Sequence, residues 1–274
     1  MQSKKETLTV RLLGFSPLEG EKIGHALAHA PAGGPSYFCL HGDSLQDPDL
    51  SIANGEDLTG LAVLLASNPS TLQPALIIGG GSVAFPFPQL KRPLDQQKLF
   101  AELAKLAEAR SAAIAALPAR LPVVHERRRR IRLDLDVTDP KEYISQRREP
   151  ARGAVLIVEK GGALRDHVAN LLAQYRLSIE WTDSAATAAR LCEETPVSVV
   201  IINTSTPNID PYELCEKIKR QRGADRVAVV MLVNRAFGYD TARAREAGER
   251  GLLDKPVADR HLIAVLKKLL SIAP

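Results

Sequence analysis

The stretch of residues 197–211, VSVVIINTSTPNIDP, places a polar side chain at the end of an apolar run. Val197–Ile202 are apolar or small and predict a buried strand, with Asn203 at its carboxyl end. In an open parallel sheet, ligands bind at the carboxyl ends of the strands, so a reactive side chain is expected at residue 203. The residue found there is an amide, which is not a competent nucleophile. Pro207 and Asp210 follow it in the loop.

Composition limits the classes of protein to consider. The chain has 274 residues, 45% of them hydrophobic and 25% charged, which suits one or two ordinary globular domains. Aromatic residues make up 4% and the net charge is +4, so an RNA-binding or DNA-binding surface is not expected. Cys39, Cys192 and Cys215 form no CxxC pair and predict neither a metal site nor disulfides. We expect a cytoplasmic protein without membrane insertion and without a cofactor.

The second half of the chain alternates between strand-like and helix-like segments. Its apolar runs predict strands at 154–160, 177–183, 197–203, 227–233 and 251–257. The segments between and after them predict helices at 165–175, 184–194, 212–221, 241–248 and 259–270. We expect Ser184 and Asp259 to cap the second and the last of these helices. The alternation predicts one complete doubly wound α/β domain with a parallel sheet over 153–274.

The first half predicts a shortened domain of the same class over 1–117. Strands are expected at 7–15, 36–42, 49–54, 74–81 and within 87–94, and helices at 17–30, 55–68 and 95–117. The last two strands lie so close in sequence that the helix between them is expected to be lost.

The long helix over 95–117 has two interpretations. One side of it carries mostly small apolar residues: Leu99, Leu103, Leu106, Arg110, Ala113 and Leu117. We expect the helix to pack on its own domain. The alternative is a helix-to-helix contact in a homodimer, because Leu and Ala at this spacing are a weak coiled-coil signal.

Residues 118–152 predict an arginine-rich linker between the two domains. Apolar and charged residues alternate over 131–137, which predicts a short half-buried strand. A short helix is expected to begin at Pro140 and to end near Arg148.

The C-terminal half resembles the receiver domain of two-component response regulators. It carries VLIVEK, N-TSTP-NIDP, MLVN and LLDKP, in that order and at the spacing of the family. Family members carry VLIVDD, D-x-x-M-P-x-x-D-G, a strand ending in Thr or Ser, and an aromatic residue before Lys-Pro at the same places. The resemblance implies a flavodoxin-like (CheY-like) fold and a role in phosphorelay signal transduction.

The residues that would bind Mg²⁺ and accept the phosphoryl group differ from the family. The acidic pair is replaced by Glu159 and Lys160, and the phosphate-accepting Asp is replaced by Asn203. Aspartyl phosphorylation needs a carboxylate nucleophile and a hard cation held by oxygen ligands. The resemblance therefore implies a pseudo-receiver. Our hypothesis is that Lys160 or Lys255 forms hydrogen bonds with Asn203 and Glu159 and holds one fixed conformation.

The positions that respond to phosphorylation in the family are also replaced. Val233 stands where the hydroxyl residue is expected, and Leu252 stands where the switch aromatic is expected. Lys255 is retained, as are Pro207 and Asp210 in the loop after the third strand.

The N-terminal half resembles a more degenerate copy of the same domain. Gly14 and Phe15 stand at the acidic positions, Asn54 at the acceptor position and Gly79 at the hydroxyl position, and Arg92 precedes the proline. The resemblance therefore implies two pseudo-receivers in tandem.

The linker arginines resemble the RRxxxR motif that opens PilZ domains. By this resemblance, Arg127, Arg128 and Arg132 would bind the phosphates and guanines of cyclic di-GMP. The second motif of that family is absent downstream, so a solvated basic linker, or one paired with nearby acidic residues, is the main interpretation. An acidic protein partner is a further alternative.

Together these features predict a protein that is not an enzyme. We expect a signalling adaptor of a bacterial two-component or chemosensory pathway that acts by protein–protein interaction, independently of phosphorylation. The alternative is a cyclic di-GMP sensor that uses the linker arginines.

Overall fold

The structure is a computed structural model that describes residues 7–31, 33–80, 85–117, 153–175, 177–221 and 227–270. Contacts divide the chain into two compact units, one built on an N-terminal sheet and one on a C-terminal sheet. The strands and helices predicted for the linker, over 131–137 and from Pro140 onward, lie outside the described residues.

The N-terminal unit contains a five-stranded parallel sheet in the order β2-β1-β3-β4-β5. Its strands are β1 (Thr7–Leu13), β2 (Ser36–Cys39), β3 (Leu50–Asn54), β4 (Ala75–Ile78) and β5 (Gln89–Leu90). Its helices are α1 (Pro17–Ala28), α2 (Leu58–Ala66) and α3 (Gln96–Ala116). No helix lies in the described residues between β4 and β5, as the short spacing of these strands predicts.

The C-terminal unit repeats this sheet order with its full set of helices. Its strands, in the order β7-β6-β8-β9-β10, are β6 (Ala154–Val158), β7 (Ile179–Thr182), β8 (Val197–Asn203), β9 (Ala228–Val233) and β10 (Gly251–Asp254). Its helices are α4 (Ala163–Leu172), α5 (Ala185–Glu194), α6 (Pro211–Lys219), α7 (Thr241–Glu246) and α8 (Asp259–Leu269). The order 2-1-3-4-5 is that of flavodoxin-like doubly wound folds, which confirms the predicted fold class.

Helices cover both faces of each sheet, and the strands between them are apolar. In the C-terminal unit α4 and α8 pack on one face, and α5, α6 and α7 pack on the other. The central strands β6 and β8 are buried on both faces. This explains why their sequences are continuous apolar runs rather than alternating apolar and polar residues. None of the helices in the described ranges is long and apolar enough to cross a membrane.

Two sequence expectations about helices have clear outcomes. Ser184 caps α5 as predicted, since its Oγ accepts a hydrogen bond from the backbone N–H of Thr187. Asp259 was expected to cap α8, but this prediction is wrong. Ala258 occupies the N-cap position, and the Asp259 carboxylate lies 2.9 Å from Nε2 of His167 instead.

Candidate functional site

Asn203 and Lys255 meet at the carboxyl edge of the C-terminal sheet. Asn203 ends β8, and its Oδ1 accepts hydrogen bonds from Nζ of Lys255 at 2.7 Å and from the backbone N–H of Ser205 at 3.0 Å. Lys255 follows β10, and its backbone N–H donates to the carbonyl of Val233 at 2.7 Å. Burial lowers the pKa of Lys255, an effect that the Glu159 carboxylate partly offsets. The amide oxygen therefore has two donors, and one of them is a cation.

Glu159 follows β6, and its buried carboxylate caps a helix. Its Oε1 accepts hydrogen bonds from the backbone N–H groups of Leu164 at 2.6 Å and Arg165 at 3.1 Å, in the first turn of α4. The N-cap residue of α4 is Gly162, which has no side chain to satisfy these donors. Glu159 supplies the missing acceptor from the preceding strand end. Lys160, the next residue, is exposed.

Val233 and Leu252 lie in the hydrophobic core. Both side chains are almost fully buried among apolar residues of the C-terminal unit. Val233 offers no hydroxyl group to the edge where Asn203 lies, and Leu252 has no ring that could move between a buried and an exposed position.

The loop after β9 is tied to the loop after β8 by side-chain hydrogen bonds. Nδ2 of Asn234 donates to Oγ of Ser205 at 2.8 Å, and Oδ1 of Asn234 accepts from the backbone N–H of Phe237 at 2.8 Å. Oγ1 of Thr206 donates to the carbonyl of Asn203 at 2.7 Å. These contacts hold the loops on either side of Asn203 in one arrangement.

Asp210 anchors the start of α6 to α7. Its Oδ1 accepts from the backbone N–H groups of Tyr212 at 2.9 Å and Glu213 at 3.2 Å, and its Oδ2 accepts from Nη2 of Arg243 at 2.8 Å. Burial acts to raise the pKa of Asp210, but these hydrogen bonds and the charge of Arg243 hold that pKa below its ordinary value. The guanidinium of Arg243 also lies 4.6 Å from the centre of the Tyr212 ring, in a cation–π contact. Sequence reasoning missed Arg243, because no motif links it to Asp210.

Asn54 in the N-terminal unit has the same kind of partner as Asn203. It ends β3, and its Oδ1 accepts from Nη2 of Arg92 at 3.1 Å and from the backbone N–H of Glu56 at 3.1 Å. Arg92 also forms ion pairs with Glu19 and with Glu56. Arg92 and Lys255 each precede a cis proline after the last strand of their sheet.

The charges at the carboxyl edge of the C-terminal sheet oppose cation binding. Glu159 is the one carboxylate among the predicted site residues there, and it already accepts two backbone hydrogen bonds. Lys160 and Lys255 bring two positive charges. Within the part of the chain that the structure describes, no cluster of three or more His, Cys, Asp or Glu side chains is arranged to hold a metal ion. A hard cation such as Mg²⁺ prefers several oxygen ligands, and of the predicted site residues described at this edge only Glu159 offers a carboxylate.

The predicted nucleotide-binding residues cannot be placed in this arrangement. Arg127, Arg128 and Arg132 lie outside the described residues.

Comparison with known proteins identifies the C-terminal unit. Residues 155–267 match the family model of the response regulator receiver domain, so this part of the chain is a receiver domain. The transcriptional regulatory protein AfsQ1 of Streptomyces coelicolor is 24% identical over 117 residues, which cover 43% of this chain and 51% of that protein. Protein PilG of Pseudomonas aeruginosa is 21% identical over 113 residues, which cover 41% of this chain and 84% of PilG.

Among solved structures, the signal receiver domain of a signal transduction histidine kinase from Syntrophus aciditrophicus is 28% identical. The alignment has a TM-score of 0.39 and covers 43% of this chain and 90% of that one. The chain spans about half the length of several curated regulators that it matches, 51% for AfsQ1 and 53% and 56% for two probable ycf29 transcriptional regulators.

Proposed function

We propose that this protein is a non-catalytic signalling adaptor of a two-component or chemosensory pathway, and that its receiver domain works without phosphorylation. The observation that carries the proposal is the 2.7 Å hydrogen bond from Nζ of Lys255 to Oδ1 of Asn203. It places an amide and a cation together at the strand end where phosphotransfer would need a carboxylate.

The chemistry of phosphotransfer supports this proposal. A phosphoryl acceptor must attack as a nucleophile, and the amide of Asn203 is not competent to do so. The reaction also needs a cation to offset charge on the phosphoryl group. Lys160 stands in place of one of the two acidic residues that would hold this cation, and its positive charge repels a metal ion. Val233 also stands in place of the hydroxyl residue that responds to the phosphoryl group in the family.

A receiver domain that is not switched by phosphorylation acts by presenting a surface. We propose that protein partners bind the face formed by residues 234–270, which comprises the loop after β9, α7, β10 and α8. On this face, Asn234 donates a hydrogen bond to Ser205 and Arg243 donates one to Asp210. Any change of state would then come from a partner that binds one conformation better than another.

A phosphorylation assay tests the proposal. The wild-type chain is incubated with acetyl phosphate and Mg²⁺, beside a receiver domain that carries the acidic pair and the acceptor Asp, and intact mass is recorded. The expected result is a covalent phosphoryl adduct on the control domain and none on this chain. A stable adduct on the wild-type chain at the control's rate would overturn the proposal.

The alternative function, a cyclic di-GMP sensor, rests on the sequence of the linker alone. It uses Arg127, Arg128 and Arg132, whose guanidinium groups suit phosphate recognition. Calorimetry with cyclic di-GMP on the wild-type chain and on the Arg128→Ala/Arg132→Ala variant separates the two functions. Heat that disappears in the variant would favour the sensor, and no heat with the wild type would remove it.

A further inference from the structure

Two histidines lie one turn apart at the C-terminal end of α1. His25 is in the last turn of the helix, and His29 is its C-cap residue. The backbone N–H of His29 donates to the carbonyl of Ala26 at 3.0 Å, so His29 stays attached to the end of the helix. Residues four apart in a helix lie on the same side of it. Both histidines are exposed, so their rings share one patch of the surface.

The rings of His25 and His29 are in contact. Their centroids are 4.2 Å apart, and their planes are inclined to each other by 31°. Two imidazole nitrogens bound to one zinc-sized ion, each at about 2.0–2.1 Å, lie roughly 3–4 Å from each other. The two rings are therefore close enough for one nitrogen of each to bind a shared ion after a small rotation of the side chains.

A hydrogen bond fixes the position of the proton on the His29 ring. Nδ1 of His29 lies 2.8 Å from the backbone carbonyl oxygen of His25. A carbonyl oxygen can only accept, so Nδ1 carries the proton and donates it. The neutral ring then has its lone pair on Nε2. Histidines that bind metals show the same arrangement, in which the other ring nitrogen donates to a carbonyl or a carboxylate.

The position of the pair on the helix favours a positive ion. The last turn of a helix carries a partial negative charge, because its carbonyl groups have no partner within the helix. A cation held between His25 and His29 lies beside this turn. The end of α1 therefore adds a favourable electrostatic contribution to the two nitrogen ligands.

The histidine pair is separate from the positions where the receiver family binds Mg²⁺. The helix α1 connects β1 to the parallel strand β2, so its last turn lies at the amino edge of the N-terminal sheet. Asn54 ends β3 at the carboxyl edge of the same sheet. The ligands also differ in kind, since Mg²⁺ and Ca²⁺ prefer oxygen, whereas imidazole nitrogen suits Zn²⁺, Ni²⁺ and Cu²⁺.

We propose that His25 and His29 chelate one divalent transition-metal ion of this imidazole-binding class, through one nitrogen of each ring and through Nε2 in the case of His29. Water fills the remaining coordination positions. This site does not depend on the proposed loss of phosphorylation, because it uses no residue of the carboxyl edge of either sheet.

Calorimetric titration of the untagged full chain with Ni²⁺ tests the site. The wild type is expected to bind Ni²⁺ at this pair, and His25→Ala and His29→Ala are each expected to weaken that binding at least tenfold, since a chelate needs both ligands. The matched control is His167→Ala, which removes an exposed histidine from α4 of the other unit and should leave the binding unchanged. Circular dichroism verifies that each variant is folded. A wild-type chain that does not bind Ni²⁺, or a loss in His167→Ala equal to that in His29→Ala, would overturn the proposal.

Hydrogen exchange locates the bound ion independently. An ion that bridges one helical turn resists fraying of that turn, so saturating Ni²⁺ is expected to slow the exchange of the backbone amides at the end of α1. The same concentration of Mg²⁺ is not expected to slow them, because Mg²⁺ prefers oxygen ligands. The His25→Ala/His29→Ala variant should show no slowing with either ion. Unchanged exchange in the wild type with Ni²⁺, or equal slowing by Mg²⁺, would contradict a site formed by the two imidazoles.

Discussion

Lys255 donates a hydrogen bond from Nζ to Oδ1 of Asn203 over 2.7 Å. The N-terminal unit repeats this relationship, since Nη2 of Arg92 donates to Oδ1 of Asn54 over 3.1 Å. In both sheets a cation that precedes a proline reaches an amide at the end of the third strand. The same kind of amide–cation hydrogen bond therefore recurs in two units that differ in helix content.

Removing the donor to Asn203 should destabilise the C-terminal unit. In Lys255→Met the apolar stem is kept and the hydrogen bond is lost, so we expect a loss of about 1 kcal/mol in the free energy of unfolding. Lys160→Met is the matched control, because Lys160 is exposed and close in sequence to the same edge. Urea denaturation of both variants measures the effect. An equal loss in the two variants would contradict a specific role for the Lys255–Asn203 bond.

Restoring carboxylates should restore cation binding. Asn203→Asp/Lys160→Asp places two carboxylates at the edge and removes one positive charge, so we expect the double variant to bind Mg²⁺ more tightly than the wild type. Calorimetric titration with Mg²⁺ measures this. Asn203→Ala/Lys160→Ala separates the effect of the new oxygen ligands from that of the lost lysine. Equal affinity in the two double variants would show that carboxylates at these positions do not form a site.

The cap that Glu159 provides should depend on its acceptor oxygen. Glu159→Ala leaves two backbone donors of α4 without a partner, and we expect a loss of about 1–2 kcal/mol in stability. Glu159→Gln keeps an acceptor oxygen and should lose less. Hydrogen exchange measures the effect locally, since the amides of Leu164 and Arg165 should exchange faster in Glu159→Ala. Unchanged exchange at these two amides would refute the capping role.

Asp210 should make the C-terminal unit sensitive to acid. Its folded-state pKa is lower than its ordinary value of 3.8, so its contribution to stability is present above 3.8 and is lost as the pH falls through the folded-state pKa. Asp210→Asn keeps an oxygen for the helix cap but does not titrate. The difference in unfolding free energy between the wild type and this variant should therefore shrink as the pH is lowered from neutrality. A difference that grows on acidification would have the wrong sign for this assignment.

The strands could be predicted from the sequence better than the contacts between side chains. Val197–Asn203 was predicted with its observed bounds because a buried strand in a parallel sheet reads as an unbroken apolar run. Asp259 resembled a helix cap, but a cap depends on backbone geometry one residue earlier, at Ala258, and on a competing partner, His167. The helix cap formed by Glu159 could not be predicted for a similar reason. It depends on Gly162, which follows after a turn and has no side chain to accept hydrogen bonds from the first backbone N–H groups of α4.

The buried ion pair between Arg110 and Asp49 could not be predicted, since 61 positions separate the two residues in sequence. Arg110 was grouped with the apolar side of α3, and it does face the core. Its Nη2 pairs with Oδ1 of Asp49, and its Nε donates to the carbonyl of Leu72 at 2.9 Å. The other oxygen of Asp49 accepts from the backbone N–H and the hydroxyl of Thr9, at 2.9 and 3.0 Å.

This pair should be the most sensitive electrostatic contact of the N-terminal unit. The side chains of Arg110 and Asp49 are only 8% and 2% exposed, so removing one of them breaks an ion pair that is shielded from solvent. We expect Arg110→Met to lower the free energy of unfolding by about 3–5 kcal/mol, and a double variant with Asp49→Asn to recover part of that loss. The matched control is Lys105→Met, which breaks a pair with Glu102 on the same helix in which the lysine side chain is 70% exposed. Its cost should stay below about 1 kcal/mol. Chemical denaturation of the three variants measures these differences. Similar losses in Arg110→Met and Lys105→Met would mean that solvent reaches the Arg110–Asp49 pair and screens it as it screens a surface pair.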